Sequence, residues 1–325
     1  MHSVLARRGV LVAAVAAVAA AAGMVATGRL SQFNAAQALV IGIISGAGYG
    51  LVALGIVLIY KSSRVFNFAQ GEFGTVAAYV LWRAHTLGVP YIPALALGLL
   101  AALLMGLLTE RLIVRPLFDA PRVTLLVATA GVALLAISLE LWIAEARPRF
   151  IQPALGRLDR VALFGIQVSD QRLLVLAALL VLAVLLGLFF SRTHLGLAVL
   201  GVSQEAVATE LMGISVRRLS SFTWGLAGVL GGLGGILTAP VVGSFAPGFL
   251  TTTALIPGFT AAVLGGMTSL PGAFVGGVIV GVAQSLAVSS PAFRDIPGAG
   301  SVMVFVILVA VLAVRPQGLL GKAAA

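Results

Sequence analysis

Long apolar runs alternate with short polar stretches along this chain, and the apolar runs decide its fold class. The runs are continuous, without strict alternation of apolar and polar positions, and about 20 such residues are enough for a helix to cross a bilayer. The pattern predicts an all-α polytopic membrane protein with about ten transmembrane helices. The predicted spans are Gly9–Thr27, Gln37–Tyr60, Gly71–Leu87, Ile92–Val114, Val123–Ile143, Leu173–Phe190, Ser220–Ala239, Thr251–Met267, Pro271–Val288 and Ser301–Val314.

The first of these runs has two interpretations. Arg7 and Arg8 precede an Ala- and Val-rich stretch, and small residues near Ala22 would suit cleavage of a signal peptide. The run is also long enough to span the bilayer, which favours a retained helix. We therefore expect residues 1–36 to hold an extra transmembrane helix or a signal-like segment, and residues 37–325 to form the main transmembrane domain.

Composition supports a membrane protein and narrows its chemistry. Hydrophobic residues make up 60% of the chain and charged residues 9%, and the mean hydropathy is +1.14. A soluble domain is nearer half apolar and a quarter charged. The chain has no cysteine, so it has neither disulfides nor thiolate metal sites. Basic cytoplasmic loops explain the net charge of +10. The sequence has no basic patch with interleaved aromatic residues, which is the pattern expected of a nucleic-acid-binding protein.

The distribution of Lys and Arg predicts that both termini are cytoplasmic. With this orientation, twelve of the 20 basic residues fall on the inner side, among them Arg64, Arg115 and Arg217. The outer segment Arg147–Arg172 is the exception, because five of the other basic residues lie there. Its acidic residues offset part of that charge.

Small residues recur at a spacing of four, which lets helix backbones approach closely. Such motifs fall in the second, seventh and ninth predicted helices. We expect most of them to pack within the chain, although a seam between two copies is the alternative. Prolines between Ala239 and Leu270 predict short or broken helices there, which would line a pathway or form periplasmic turns. The motifs are Gly42–Gly46–Gly50, Gly228–Gly232, Gly231–Gly235, Gly272–Gly276 and Gly277–Gly281.

Three polar side chains stand together where the third predicted helix begins: Asn67, Gln70 and Glu72. Lipid cannot hydrate such groups, so we expect them to face protein, water or a passing solute. The simpler interpretation is an ordinary helix start, with Asn67 as a cap and Glu72 in the first turn, where the helix dipole favours an anion.

The segment from Asn67 to Glu72 resembles the signature of the LivH-type permeases of branched-chain amino acid ABC importers. Those chains carry a stretch like Asn-Phe-Ala-His-Gly-Glu after a helix like Gly42–Tyr60, and Gln70 stands here in place of the usual histidine. The resemblance extends over roughly Ala36–Gly318. It implies an ABC importer permease bundle that carries leucine, isoleucine and valine, or related solutes such as other amino acids, urea or short amides.

A second functional signal lies in the long cytoplasmic segment 192–219. Ser203 is expected to cap a short helix, Glu205 to lie in its first turn and Gly213 to end it. That helix would carry an apolar stripe, and the stripe must pack on the chain's own bundle or in the groove of a partner. The stripe consists of Val207, Ala208, Leu211 and Met212.

The resemblance favours the partner. ABC importers present such a loop, with a Glu-Ala-Ala-x-x-x-Gly-like pattern, to a cytosolic ATPase. The corresponding residues here are Glu205 and Ala206, followed by Gly213 and Ile214, with Val207 in place of a second alanine and a longer spacing to the glycine. The family further implies two ATPase subunits, a second permease of the same or a homologous sequence, an extracytoplasmic solute-binding protein and no cofactor.

Features of catalysis are absent from the sequence. It contains no phosphate-binding Gly-x-x-x-x-Gly-Lys-Ser/Thr motif, no His-Glu-x-x-His and no Gly-x-Ser-x-Gly. We therefore expect a transport subunit with ATP hydrolysis on a separate chain. A secondary transporter or channel is the alternative, but few ionisable residues lie within the spans to relay protons.

The expected pathway combines the Asn67–Glu72 signature with the second predicted helix. We expect Ser45 and Tyr49 to face Asn67, Gln70 and Glu72 across it. Glu140, near the outer end of the fifth helix, could line this pathway or pair with an arginine of the following loop.

Overall fold

The computed structural model describes residues 32–152, 160–163, 166–290, 293, 296–315 and 317–321. Helices form most of this part of the chain, and one antiparallel hairpin connects two of them. The helices are α1 (Gln32–Ser63), α2 (Gln70–Thr86), α3 (Tyr91–Leu108), α4 (Arg122–Ala144), α5 (Asp170–Arg192), α6 (His194–Gln204), α7 (Ala206–Leu211), α8 (Val216–Val242), α9 (Ile256–Gly265), α10 (Leu270–Ser289) and α11 (Ala299–Val314); the strands are β1 (Arg160–Leu163) and β2 (Ile166–Ser169).

Six of the described helices are long and apolar enough to cross a membrane by length and composition. Two shorter apolar helices, Thr251–Gly265 and Ala299–Val314, accompany them, and α2 has 17 residues. The all-helical membrane class is thus confirmed, whereas the count of ten is not. The predicted first helix, Gly9–Thr27, lies outside the described residues. The six long spans are Ala35–Ser63, Tyr91–Leu117, Arg122–Ala144, Asp170–Arg192, Val216–Val242 and Leu270–Ser289.

Several helix boundaries differ from the sequence-based expectation. Helix α1 continues through the basic turn to Ser63 and stops at Arg64, whose φ is 56°. Helix α8 continues through Pro240 to Val242, because a proline late in a helix removes one donor without ending the helical path. A five-residue π-helical turn, Thr251–Leu255, precedes the short helix α9, which agrees with the short helices expected in this region.

The chain divides into two compact units. The first contains Met1–Ala53, Asp159–Leu180 and Ile256–Ala325. In this unit the glycines of α1 pack on α10: a Cβ on Gly46 would lie 2.6 Å from the carbonyl oxygen of Gly277. Gly265 and Gly272 bring α9 and α10 closer still. These small-residue motifs therefore serve packing within the chain.

The second unit contains Leu54–Leu158 and Val181–Leu255. Helix α2 lies against α3, α4 and α8. Close approach again depends on glycine, since a Cβ on Gly74 would lie 2.6 Å from the carbonyl oxygen of Gly231 and one on Gly98 equally close to that of Ala77. The buried α2 thereby places its amino-terminal polar residues inside the protein.

One end of the second unit collects polar side chains from two helices. The hydroxyl of Thr223 donates to that of Ser62 at 2.6 Å, and the Trp224 indole N–H donates to Ser63 Oγ at 3.3 Å. The end of α1 and the start of α8 therefore share one end of this unit. Both segments were expected to be cytoplasmic.

Candidate functional site

The segment before α2 is fixed by its own polar side chains. The Asn67 carboxamide oxygen accepts the Ala69 N–H at 3.0 Å, and its nitrogen donates to Gln70 Oε1 at 3.4 Å. Thr129 of α4 lies within hydrogen-bond distance of the carbonyl of Phe66 and the N–H of Phe68. Asn67 thus stabilises the turn that leads into the helix, although the N-cap position itself belongs to Ala69.

Gln70 is held between two helices. Its Nε2 donates to the carbonyl oxygen of Ala227 in α8 at 2.9 Å, and the side chain is fully buried. A Cβ on Gly55 would lie 2.8 Å from Gln70 Cδ, and one on Gly231 would lie 3.1 Å from Nε2. The two glycines therefore make the slot that the glutamine fills, a relation that the sequence pattern did not reveal.

Glu72 differs sharply from these two residues. The residue is 0% exposed, yet neither carboxyl oxygen has a hydrogen-bond partner among the described residues. The Thr251 and Thr75 hydroxyls and the Glu140 carboxyl lie close enough to influence it electrostatically. A buried carboxyl group without partners is unfavourable, and in native proteins such groups concentrate where a ligand or proton is handled.

Glu140 stands beside Glu72 and is only half satisfied. Its Oε2 accepts the Gly248 N–H at 3.0 Å, while Oε1 is buried without a partner among the described residues. A Cβ on Gly248 would lie 4.0 Å from Glu72 Oε1, so this glycine adjoins both carboxyl groups. Glu140 therefore belongs to a buried carboxyl pair, and it forms no ion pair with the described arginines of the Arg147–Arg172 loop.

The loop between α8 and the π-helical turn supports this pair from one side. Gly248 adopts φ 73°, and the following Leu250 N–H donates to the Thr75 hydroxyl at 3.1 Å. Phe245 exchanges two backbone hydrogen bonds with Arg149 at 2.8 and 2.9 Å. These contacts fix the loop against α2, α4 and the segment that follows α4.

A cavity of about 890 Å³ adjoins Glu140. Helices α2, α3 and α4 form its walls, which are mostly aliphatic. Tyr79, Glu140 and Arg149 are among its few polar lining residues. The guanidinium of Arg149 lies 4.7 Å from the centre of the Trp82 ring, a cation–π contact that fixes its position.

A second buried acid, Glu110, lies in the π-helical turn Thr109–Val114 that follows α3. Both of its oxygens contact Arg115, at 3.0 and 3.1 Å, and Ser221 donates to Oε2 at 2.9 Å. Arg115 also donates to the carbonyl of Arg217 at 3.3 Å. This cluster joins two segments that were expected to be cytoplasmic, and the sequence analysis did not single it out.

The cytoplasmic segment 192–219 forms two short helices before α8. Thr193 caps α6 by accepting the Gly196 N–H at 3.0 Å. Ser203 lies inside α6, so the expected cap at Ser203 is wrong. The helical path breaks at Glu205, which is extended (φ −148°, ψ 100°) and takes the N-cap position of α7 without a side-chain cap. Gly213, at φ 81°, ends the short helix as expected.

The apolar stripe of α7 has no cover among the described residues. Leu211 is 85% exposed and Met212 is 71% exposed. Thr209, on the other side of the helix, is buried and donates to the Glu205 carbonyl at 2.7 Å. The helix therefore points two large apolar side chains outwards. The side chains of Ser203, Ala206 and Val207 lie outside the described residues.

The two remaining predicted pathway residues belong to the first unit. Ser45 and Tyr49 are half-buried on α1, and Tyr49 lies beside Gln284 of α10. Asn67, Gln70 and Glu72 belong to the second unit, where they share the start of α2.

Comparison with known proteins places the chain among membrane permeases. It is 29% identical over 300 residues to the high-affinity branched-chain amino acid transport system permease protein BraD of Pseudomonas aeruginosa, covering 88% of this chain and 95% of that protein. It is 26% identical over 298 residues to LivH of Escherichia coli K12, with 86% and 94% covered. For the probable LivH of Methanocaldococcus jannaschii the identity is 29% over 288 residues, with 83% and 88% covered.

One solved structure and one family model also match this chain. Among solved structures, PsaBC from Streptococcus pneumoniae in complex with Fab covers 92% of this chain and 97% of that chain at 18% identity, with a TM-score of 0.49. The model of the family described as branched-chain amino acid transport system / permease component matches residues 38–312. Since this match covers most of the sequence, the chain belongs to the branched-chain amino acid transport system permease family.

Proposed function

We propose that this chain is the membrane-spanning permease of an ABC importer that carries branched-chain or closely related amino acids across the bacterial cytoplasmic membrane. The match of the permease family to residues 38–312 carries this proposal. Relatives named as branched-chain amino acid permeases align with this chain over nearly their whole length, which supports the substrate class.

The proposed assembly contains two cytosolic ATPase subunits, a second permease of the same or a homologous sequence and an extracytoplasmic solute-binding protein. The chain spans the membrane with about ten helices and keeps both termini in the cytoplasm. Contacts in the second unit support this orientation. Ser62 and Ser63 contact the start of α8, and Arg115 contacts Arg217, so three segments expected on the cytoplasmic side share one end.

Helix α7 and its flanks are the proposed contact with the ATPase. The exposed Leu211 and Met212 support this role, because two large apolar side chains beyond the bundle gain stability by entering a groove of a partner. Glu205 and Gly213 delimit the helix at its two ends. The full proposed contact consists of Ser203, Glu205, Ala206, Val207, Leu211, Gly213 and Ile214.

The proposed pathway contains Ser45, Tyr49, Asn67, Gln70 and Glu72. Glu72 is the member with the strongest structural support, since its buried carboxyl group has no described hydrogen-bond partner. Asn67 and Gln70 already bond to protein atoms, so their proposed part is to hold Glu72 at the start of α2.

ATP-driven uptake tests the function directly. The permease is reconstituted in proteoliposomes with its ATPase, second permease and binding protein, and uptake of labelled leucine, isoleucine and valine is measured with ATP and with a non-hydrolysable analogue. We expect uptake of at least one of the three only with ATP. Uptake that is independent of ATP would instead support a secondary transporter, and uptake of urea or amides alone would overturn the substrate class.

The contact with the ATPase has its own test. Replacing Leu211 and Met212 together by serine should weaken association with the ATPase by roughly a hundredfold and lower ATP-driven uptake, because two buried apolar side chains contribute about 3 kcal/mol to an interface. Leu87→Ser, at an exposed position on the opposite end of α2 from Gln70, is the control. Wild-type association of the double variant would refute the proposed contact.

A further inference from the structure

Glu72 and Glu140 face each other inside the second unit. Glu72 is 0% exposed and Glu140 is 7% exposed. Both adjoin one residue of the loop before the π-helical turn, since the Gly248 N–H binds Glu140 Oε2 at 3.0 Å and a Cβ on that glycine would lie 4.0 Å from Glu72 Oε1. The two carboxyl groups lie within hydrogen-bonding reach of each other. In the ionised form both groups only accept hydrogen bonds, so they cannot bond to each other without a proton.

The described surroundings of this carboxyl pair do not satisfy two negative charges. Within the described residues the Gly248 N–H donates to one carboxyl oxygen, and the other three oxygens have no partner. The Thr251 hydroxyl lies beside Glu72. The Thr75 hydroxyl lies there as well, but it already donates to the Gly71 carbonyl at 3.4 Å. Neither carboxyl group forms an ion pair with a described basic residue, so no cation balances the pair.

Other titratable groups near the pair have contacts of their own. Tyr79 interacts electrostatically with both carboxyl groups and with Arg149. The Arg149 guanidinium lies 4.7 Å from the centre of the Trp82 ring and donates to the Ala144 carbonyl at 2.7 Å, so these contacts hold it. The remaining described charged or titratable side chains of α2, α3, α4 and α8 lie in the terminal turns of these helices, and the turn Thr251–Leu255 has none.

Electrostatics favours one bound proton over none or two. Two carboxylates in an apolar interior repel each other more strongly than in water, and both have lost their hydration. One proton removes one of the two charges and turns one acceptor into a donor, and the resulting hydrogen bond between the acid and the carboxylate is charge-assisted. A second proton would remove the charge that strengthens this bond. Two facing carboxyl groups are therefore most stable with a single proton.

We propose that Glu72 and Glu140 form a proton-binding site and share one proton at neutral pH. The proton joins Glu140 Oε1 to an oxygen of Glu72, while Glu140 Oε2 keeps its hydrogen bond from the Gly248 N–H. The site links α2 to α4 and carries one negative charge instead of two. This inference concerns only the protonation of the pair, so it goes beyond the proposed function and does not depend on which solute is transported.

A metal ion is the other candidate occupant, and the described surroundings fit it less well. Mg²⁺ and Ca²⁺ take about six or more oxygen ligands. Besides the two carboxyl groups, the Thr251 hydroxyl is the described oxygen beside Glu72 that makes no hydrogen bond, whereas the Thr75 hydroxyl is already bonded. A proton needs only two oxygens that face each other, and the pair supplies these.

Infrared spectroscopy tests the site, because a protonated carboxyl group has a carbonyl stretching band that an ionised one lacks. The full-length permease is purified in a maltoside detergent, which has no ester carbonyl group to overlap this band, and spectra are recorded at neutral pH. We expect a carboxylic acid band equivalent to one group per chain. The chain has only ten Asp and Glu residues, so variants can assign the band.

Matched variants assign the proton to the pair. Glu72→Gln and Glu140→Gln should each abolish the whole band, since the new amide donates to the remaining carboxylate in place of the proton. The double variant supplies the baseline. Glu145→Gln removes an exposed acid outside the pair and should leave the band at its wild-type size. Size-exclusion chromatography checks that each variant is folded.

Several outcomes would overturn the shared proton. A wild-type protein without the band would do so by itself, whether or not the variants fold. A band that is halved in each single variant would mean two protons, and a band of full size in both would mean that burial alone protonates either carboxyl group. A metal ion found by elemental mass spectrometry in a wild-type protein without the band, and lost from both single variants, would make this a metal site. None of these measurements uses solute uptake, so they stand apart from any test of the proposed function.

Discussion

Two buried glutamates, Glu72 and Glu110, are both 0% exposed and yet have opposite surroundings. Glu110 accepts hydrogen bonds from Arg115 and from the Ser221 hydroxyl, so both of its oxygens have partners. Glu72 has none among the described residues, and the acidic group that interacts with it is a second carboxyl group, that of Glu140.

The contrast separates structural from functional burial. The Glu110 cluster joins the end of α3 to the start of α8 by charge-assisted hydrogen bonds, and it uses all of its charges internally. The Glu72–Glu140 pair accepts one hydrogen bond, from the Gly248 N–H to Glu140, and leaves its other three carboxyl oxygens without a partner among the described residues. Burial and residue type are the same in the two sites, so the partners are what distinguish a structural acid from a candidate for transport.

The largest expected effect comes from breaking the satisfied cluster. Arg115→Ala leaves the buried Glu110 carboxylate without its cation, which should lower the free energy of unfolding by about 3 kcal/mol. Thermal unfolding in detergent, followed by size-exclusion fluorescence, measures this. Arg111→Ala, an exposed arginine in the same turn, should leave stability unchanged. Equal melting of both variants would show that Arg115 is dispensable.

Glu72→Gln should lower transport without lowering stability, the opposite of Arg115→Ala. The amide is isosteric and the substitution breaks no described hydrogen bond, so we expect stability to be equal or higher. ATP-driven uptake should fall at least about tenfold, the equivalent of one lost charged hydrogen bond to the solute. Glu110→Gln is the matched control, and its main effect should be a loss of stability. A Glu72→Gln protein that transports normally would place this carboxyl group outside the pathway.

Gly248→Ala tests whether the loop at Gly248 supports the carboxyl pair, and its expected effect is smaller. A residue with a side chain at φ 73° is strained by about 1 kcal/mol. A backbone shift that relieves this strain would move the N–H of residue 248 away from Glu140. Gly243, at φ 93° with open space around it, is the matched control. Both variants should lose similar stability, but only Gly248→Ala should lose uptake. Equal uptake by the two variants would show that the loop at Gly248 has no role in transport.

The smallest effect is expected at the exposed pair of Glu145 and Arg147, whose side chains contact at 3.0 Å. Exposed ion pairs contribute little because water and salt screen them, so Glu145→Gln should change stability by less than about 0.5 kcal/mol. Uptake should also be unchanged. A large loss in either measurement would mean that position 145 contributes to the neighbouring cavity.

Much of the fold was predictable from the sequence, since the apolar runs gave nine of the helices that the structure describes to within a few residues. Gly213 as a helix end follows from the local preference of glycine for positive φ. The hairpin β1–β2 was missed because it lies in a polar loop without clear alternation. The break at Glu205 was also missed, since it depends on how α6 and α7 pack.

The sequence by itself determined that this chain is a helical membrane protein, because continuous apolar runs are stable only in lipid or a protein core. The transport role came from the resemblance of Asn67–Glu72 to the signature of LivH-type permeases. The sequence also identified Glu72 and Glu140 as acids in apolar surroundings. Only the tertiary structure brought Gly248 and Thr251 to these carboxyl groups and Ser221 to Glu110. Whether a buried charge is satisfied depends on partners that lie far away in the chain, and no local pattern encodes them.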